Sequence, residues 1–144
     1  MNGRAKPRLR VATKLGFAGL TWFEYFRLVV RIRRTSLPDL VHSLESSPYR
    51  VSLPPLEPRR LGRLVSRVLD RGPFHPRCLT LSLVYFRMLA RQGTEAQLVV
   101  GLPESPTHHD AHAWVEVAGE VVGPPPGRLG HEEMVRYGGT VRRP

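Results

Sequence analysis

Cysteine is nearly absent from this chain of 144 residues, which has only Cys78. No internal disulfide and no cysteine-rich zinc site can form, which excludes a stapled secreted scaffold and fits a reducing cytoplasm, where the thiol stays free. Lysine is almost as rare: 2 of the 22 basic residues are Lys and the rest are Arg. There is no internal repeat, so a solenoid is excluded, and no glycine-rich phosphate loop, so nothing points to a nucleotide; no cofactor is expected. A long uncharged apolar run is missing too. The nearest approach, "LGFAGLTWFEYFRLVV" (Leu15–Val30), carries Glu24 and Arg27, falls short of the roughly 20 residues a membrane span needs, and is not followed by a small-residue cleavage site. It reads as an apolar helix packed on the domain or on a partner protein, with peripheral membrane contact as the lesser alternative.

The formal charge is +10, and it is uneven. Residues 1–91 hold 18 basic and 5 acidic side chains, a net +13, whereas 92–144 carry a net −3. Such asymmetry suits an acidic partner for the first part, or a set of guanidinium groups simply solvated on helix faces. The arginines are interleaved with apolar helix stripes, and no recognition motif accompanies them, which argues against nucleic acid.

A chain of this length supports one core, so one domain is the default. Within it, a basic arm over 1–14, an apolar helix over Leu15–Arg33, a short helix opened by Ser36 and Pro38, and most of the proline-rich "SSPYRVSLPPLEP" make up residues 1–55. Residues 56–144 form the remainder. There Leu61, Leu64, Val65, Val68 and Leu69 recur as one helical stripe over Pro58–Asp70, with Arg59, Arg60, Arg63 and Arg67 outside it. After "RGPFHP" a helix opened by Arg77–Cys78 runs to Gln92, apolar nearly all round and therefore central, with Gly93 as its stop. The texture then turns to strands: "AQLVVGL", the loop "PESPTHHD", "AHAWVEV", a turn at Ala118–Gly119, and "EVVG". "GHEEMVRY" is expected as a last short helix. The fold class is α+β, with a central helix on a small antiparallel sheet.

One constellation carries chemistry. Helix N-termini present unpaired N–H groups and partial positive charge, which favour a thiolate and a developing oxyanion. Cys78 stands at such a start beside Arg77, where a nucleophile gains most. Along the later strand His112, Trp114 and Glu116 share one face, and Ala111, Ala113, Val115 and Val117 share the other. His112 is thus a candidate base 34 residues after the thiol.

A cysteine opening "CLTLSLVYFRMLARQG", then a strand, then "AHAWVEVAGEVV", resembles the transglutaminase-like, papain-related cysteine peptidase superfamily, and within it the leader peptidases of lasso-peptide biosynthesis. The resemblance covers about Leu61 to Tyr137. It implies Cys78 as nucleophile and His112 as general base and then acid, with Trp114 and Glu116 as motif residues. The substrate it implies is a ribosomally made precursor peptide, cleaved between leader and core. Its partners would be a separate leader-recognition protein and an ATP-using macrolactam cyclase.

The superfamily's usual third residue is an Asp about a dozen positions past the histidine, where this chain reads "VVGPPPG". With a two-residue turn, Val117 pairs Glu120, and Pro124 and Pro125 fall opposite Ala113 and His112. Asp110 shares the parity of His112 and lies about 7 Å away on an extended strand, which makes it the nearest replacement. A backbone carbonyl or a water is the other way to orient the imidazole. The oxyanion hole is expected from the Cys78 N–H plus a donor in "RGPFHPR", with His75 as the candidate. Two rivals stay open. His108, Asp110 and His112 alternate onto one face and could bind zinc with Cys78 or His131, or the chain is a non-catalytic scaffold that uses Trp22, Phe23 and Phe26 to bind a partner.

Overall fold

The computed structural model describes residues 9–46, 53–73, 76–105, 111–125 and 127–139. Its first helix, α1 (Val11–Ile32), buries Phe17, Thr21, Glu24, Tyr25 and Leu28 along one helical face. It begins four residues before the expected Leu15: Arg10 is extended, and its carbonyl accepts the Lys14 N–H at 3.0 Å, so part of the expected arm forms the first turn. The second helix, α2 (Leu37–Ser46), is opened as expected by Ser36, whose Oγ accepts the Asp39 N–H and donates to the Asp39 carboxylate at 2.7 Å.

The third helix, α3, spans Pro58–Asp70 and buries Leu61, Val65 and Leu69. The Glu57 carboxylate accepts the N–H groups of Arg59 and Arg60, so the start of α3 is satisfied by a side chain. The fourth, α4 (Cys78–Arg91), has eight consecutive buried residues, Ser82 to Leu89. Gly93, at φ +79°, ends it in the left-handed region that glycine adopts without strain.

Four strands follow: β1 (Gln97–Pro103), β2 (His112–Val117), β3 (Glu120–Gly123) and β4 (His131–Tyr137). They form an antiparallel sheet in the order β3-β2-β1-β4. Ala118 (φ 51°) and Gly119 (φ 80°) are both left-handed, the backbone that a two-residue hairpin turn requires, and Val117 pairs Glu120 as expected.

Two expectations need correction. "GHEEMVRY" is not a helix. Its residues lie along the open edge of β1, with Val100 opposite Val135 and Leu98 opposite Tyr137, because ladder hydrogen bonds outweigh the helix propensity of Glu, Met and Arg. The register beyond the hairpin also differs. A bulge between Val115 and Glu116 places Gly123, not Val122, opposite Val115, which slides the proline run by one position.

The helices cover the sheet face that carries Ala113 and Val115, and one core runs from Phe17 of α1 through Leu40, Leu61 and Phe86 to Val115 of β2. An ionic cluster lies inside it. Glu24 of α1 is fully buried and pairs with Arg91 and Arg87 of α4, while Arg87 Nη1 also donates to Leu44 O of α2 at 2.7 Å. No described helix is long and apolar enough to cross a membrane.

Candidate active site

Cys78 is the first residue of α4, with Arg77 in the capping position. In contrast to Glu57 at α3, the Arg77 side chain makes no capping hydrogen bond, so it does not occupy the N–H groups of the first turn of α4. Two contacts set the thiol against the strand. Cys78 Sγ lies 3.8 Å from the Ala111 carbonyl, and Ser82 Oγ, one turn on, donates to the Ala113 carbonyl at 2.9 Å. A helical turn of four residues advances about 6 Å and two strand residues about 6.6 Å, so α4 and β2 stay in step over this stretch. His112 is the residue between the two carbonyls.

The imidazole is 8% exposed. Its Nε2 stands 3.4 Å from the carbonyl of Pro124. A carbonyl can only accept, so Nε2 carries the proton and Nδ1 is left as the basic lone pair. Pro124 is 12 residues beyond His112, where the superfamily resemblance implied an Asp. Burial holds the imidazole below the ordinary histidine value; the Pro124 carbonyl opposes this, and His131 reinforces it. A neutral ring at neutral pH is the state a general base needs.

Trp114 and His131 flank that ring. The Trp114 ring lies 6.0 Å from that of His112 at an interplanar angle of 23°, and the His131 ring lies 5.1 Å away. Trp114 is itself fixed by Glu116, whose buried carboxylate accepts Trp114 Nε1–H at 2.9 Å, Arg136 Nη1–H at 2.8 Å and Arg128 Nη2–H at 2.5 Å. Burial raises the Glu116 carboxyl, but the bonds from Trp114, Arg136 and Arg128 outweigh it and hold the group below the usual carboxylate value. His112, Trp114 and Glu116 therefore act as one strand face: acid, indole and imidazole in line.

The structure sets the main chain before His112 against Cys78, and Arg77 at the helix cap. Asp110, His75 and His108 lie outside the described residues. Among the described residues no three His, Cys, Asp or Glu side chains converge as a metal site would require. The sequence reading missed the roles of Arg128 and Arg136, which lie far along the chain from Glu116 with no distinguishing pattern. It also placed His131 in the wrong element and so did not set it beside His112 except as a zinc ligand.

The sequence matches the family model of the transglutaminase-like superfamily over residues 22–136. The chain belongs to this superfamily. Searches of curated proteins and of solved structures give no match. The matched span begins inside α1 and ends in β4, so it takes in the second half of α1 and all of α2 as well as the Cys78 helix and the His112 strand. The transglutaminase-like superfamily includes cysteine peptidases, and the four helices and antiparallel sheet are consistent with its fold.

Proposed function

We propose that this protein is a cysteine peptidase that removes the leader from a ribosomally made lasso-type precursor. It works in the cytoplasm with a separate leader-recognition protein, ahead of an ATP-using macrolactam cyclase. The observation that carries the catalytic part is the placing of Cys78 at an uncapped helix start against the main chain of the strand that presents His112. The lasso assignment rests on the resemblance of "CLTLSLVYFRMLARQG" and "AHAWVEVAGEVV" to leader peptidases.

In this reading the Cys78 sulfur attacks the scissile carbonyl and its proton passes to Nδ1 of His112. The oxyanion is stabilised by the Cys78 N–H and the positive end of α4. The C–N bond then breaks, the leaving amine takes the proton back from His112, and a thioester remains on Cys78. Water, deprotonated by the same nitrogen, releases the carboxylate product and the thiol. The Pro124 carbonyl does what a carboxylate would do for tautomer and orientation, but it carries no full charge. It therefore stabilises an imidazolium less than an Asp, and turnover is expected to be modest.

The test is to mix the protein with a precursor peptide and its recognition partner and to follow mass. Leader release by the wild type and none by Cys78→Ala is expected; no release, or equal release by the variant, would overturn the proposal. Metal analysis of the same sample addresses the zinc rival. One zinc per chain, lost in His112→Ala, would replace the peptidase reading.

A further inference from the structure

A cavity of about 620 Å³ lies between α3, α4 and the end of the β2–β3 hairpin, and it shares a wall with the site. Pro124, whose carbonyl holds His112, lines it, as does Leu81, one turn from Cys78. Its two sides differ in chemistry. Arg59, Arg63 and Arg67 form the α3 side, while Leu81, Tyr85, Val122 and Pro125 form an apolar floor.

The arginines recur every four residues. Successive members are therefore about 6 Å apart along the helix, close to the roughly 6.6–6.8 Å between alternate side chains of an extended peptide. Arg59 is engaged at the mouth by Glu120 at 3.7 Å. Arg63 and Arg67 are exposed and have no carboxylate partner within ion-pair distance among the described residues. Asp70 lines the far end, so the wall keeps a positive excess. A second, smaller cavity on the other side of Arg63 and Arg67 adds Lys14 and Arg60, which extends the positive field.

We propose that this cavity is a substrate subsite for an extended, acidic peptide segment. Arg63 and Arg67 bind carboxylates on alternate residues, and Leu81 and Val122 receive the apolar side chains between them. The inference rests on the peptidase reading, because the shared Pro124 wall puts a bound peptide beside His112. It gives a use to a part of the arginine excess that the chemistry at Cys78 leaves unexplained.

The probe is a fluorescein-labelled octapeptide with glutamate at alternate positions and leucine between, compared with its glutamine twin. Binding to full-length Cys78→Ala protein is read by anisotropy at low salt. An exposed guanidinium–carboxylate pair changes affinity by up to about fivefold, so two pairs predict up to roughly 25-fold tighter binding of the glutamate peptide. That preference shrinks at high salt and disappears in Arg63→Gln/Arg67→Gln. It survives in Arg33→Gln/Arg34→Gln, which removes the same charge from the exposed end of α1.

Equal affinity for the twins, an unchanged preference in Arg63→Gln/Arg67→Gln, or an equal loss in the α1 control would overturn the subsite. So would a single-stranded oligonucleotide that binds more tightly than the peptide and loses affinity in the same α3 variant, because the cavity would then be a nucleic-acid site. Cleavage of precursor is scored separately on protein with Cys78 intact. Acid-selective binding without cleavage would remove the peptidase and leave an acidic-peptide site, whereas cleavage without acid preference would remove the subsite and leave the peptidase.

Discussion

Replacing Glu116 by Leu tests whether the buried carboxylate organises the strand face. Its three donors differ in what they lose. Arg128, with its side chain 58% exposed, rehydrates freely, so its loss is at most about 1 kcal/mol. Arg136 is 29% exposed and keeps Glu133 at 2.8 Å, so it also loses about 1 kcal/mol once solvent screening is allowed for. Trp114 has no such escape. At 1% exposure its Nε1–H would be stranded, at about 1–3 kcal/mol.

The expected total is therefore about 2–5 kcal/mol, or a fall in Tm of roughly 6–15 °C for a chain of this size. Glu116→Gln keeps an acceptor for the indole and should cost about 1 kcal/mol. The sign with pH follows from a folded-state carboxyl held below its ordinary value. Its contribution is fully present above the unfolded-state value and is lost as pH falls through the lower folded value. Urea unfolding followed by tryptophan fluorescence, at neutral pH and in acid below the carboxylate range, measures both. A Gln variant as stable as wild type at neutral pH, or a wild-type-to-Gln gap that persists undiminished in acid, would refute the reasoning.

Other outcomes follow from neighbouring geometry. Because His131 helps to keep the His112 imidazole neutral, His131→Asn should move the acid limb of the pH–rate profile to higher pH; an unmoved or lowered limb would contradict it. The same lowered histidine destabilises the fold in acid: stability should rise with pH up to the ordinary histidine value and gain nothing from this group above it, which urea midpoints across that range report. Glu24→Ala leaves the buried Arg87 without its counter-charge and should cost about 3–5 kcal/mol in chemical denaturation. Glu120→Ala, which breaks an exposed 3.7 Å pair, should leave the midpoint unchanged. At Gly101 a Cβ would stand 2.8 Å from both the Trp114 ring and the Glu132 carbonyl. Gly101→Ala should therefore cost about 1–3 kcal/mol and lower the proposed peptidase activity by shifting the indole beside His112, as unfolding and cleavage assays would reveal.

How far the sequence could be read depended on the range of the interactions involved. Pro58–Asp70 was legible because leucine and valine at helical spacing, with proline at the start, suffice to define a helix and its buried side. The central position of α4 followed from its lack of a polar face, and the hairpin from Ala118–Gly119. "GHEEMVRY" was not legible as a strand, since β4 exists only through pairing with β1, whose edge is remote in sequence. The group that faces His112 Nε2 was hidden for a related reason. Pro124 contributes a carbonyl, which every residue possesses, so its role leaves no mark in the side-chain pattern.

By itself, then, the chain determined the helices with local periodicity, the lone thiol at a helix start, and the shared face of His112, Trp114 and Glu116, because spacing along a helix or strand decides each of these. Tertiary structure alone decided that Arg128 and Arg136 meet at Glu116, that His131 flanks His112, and that the bulge at Val115/Glu116 slides the proline run along β2. Those outcomes depend on a strand edge finding its partner and on a buried polar group finding a donor or acceptor. Both are settled by where distant segments meet once the core has closed.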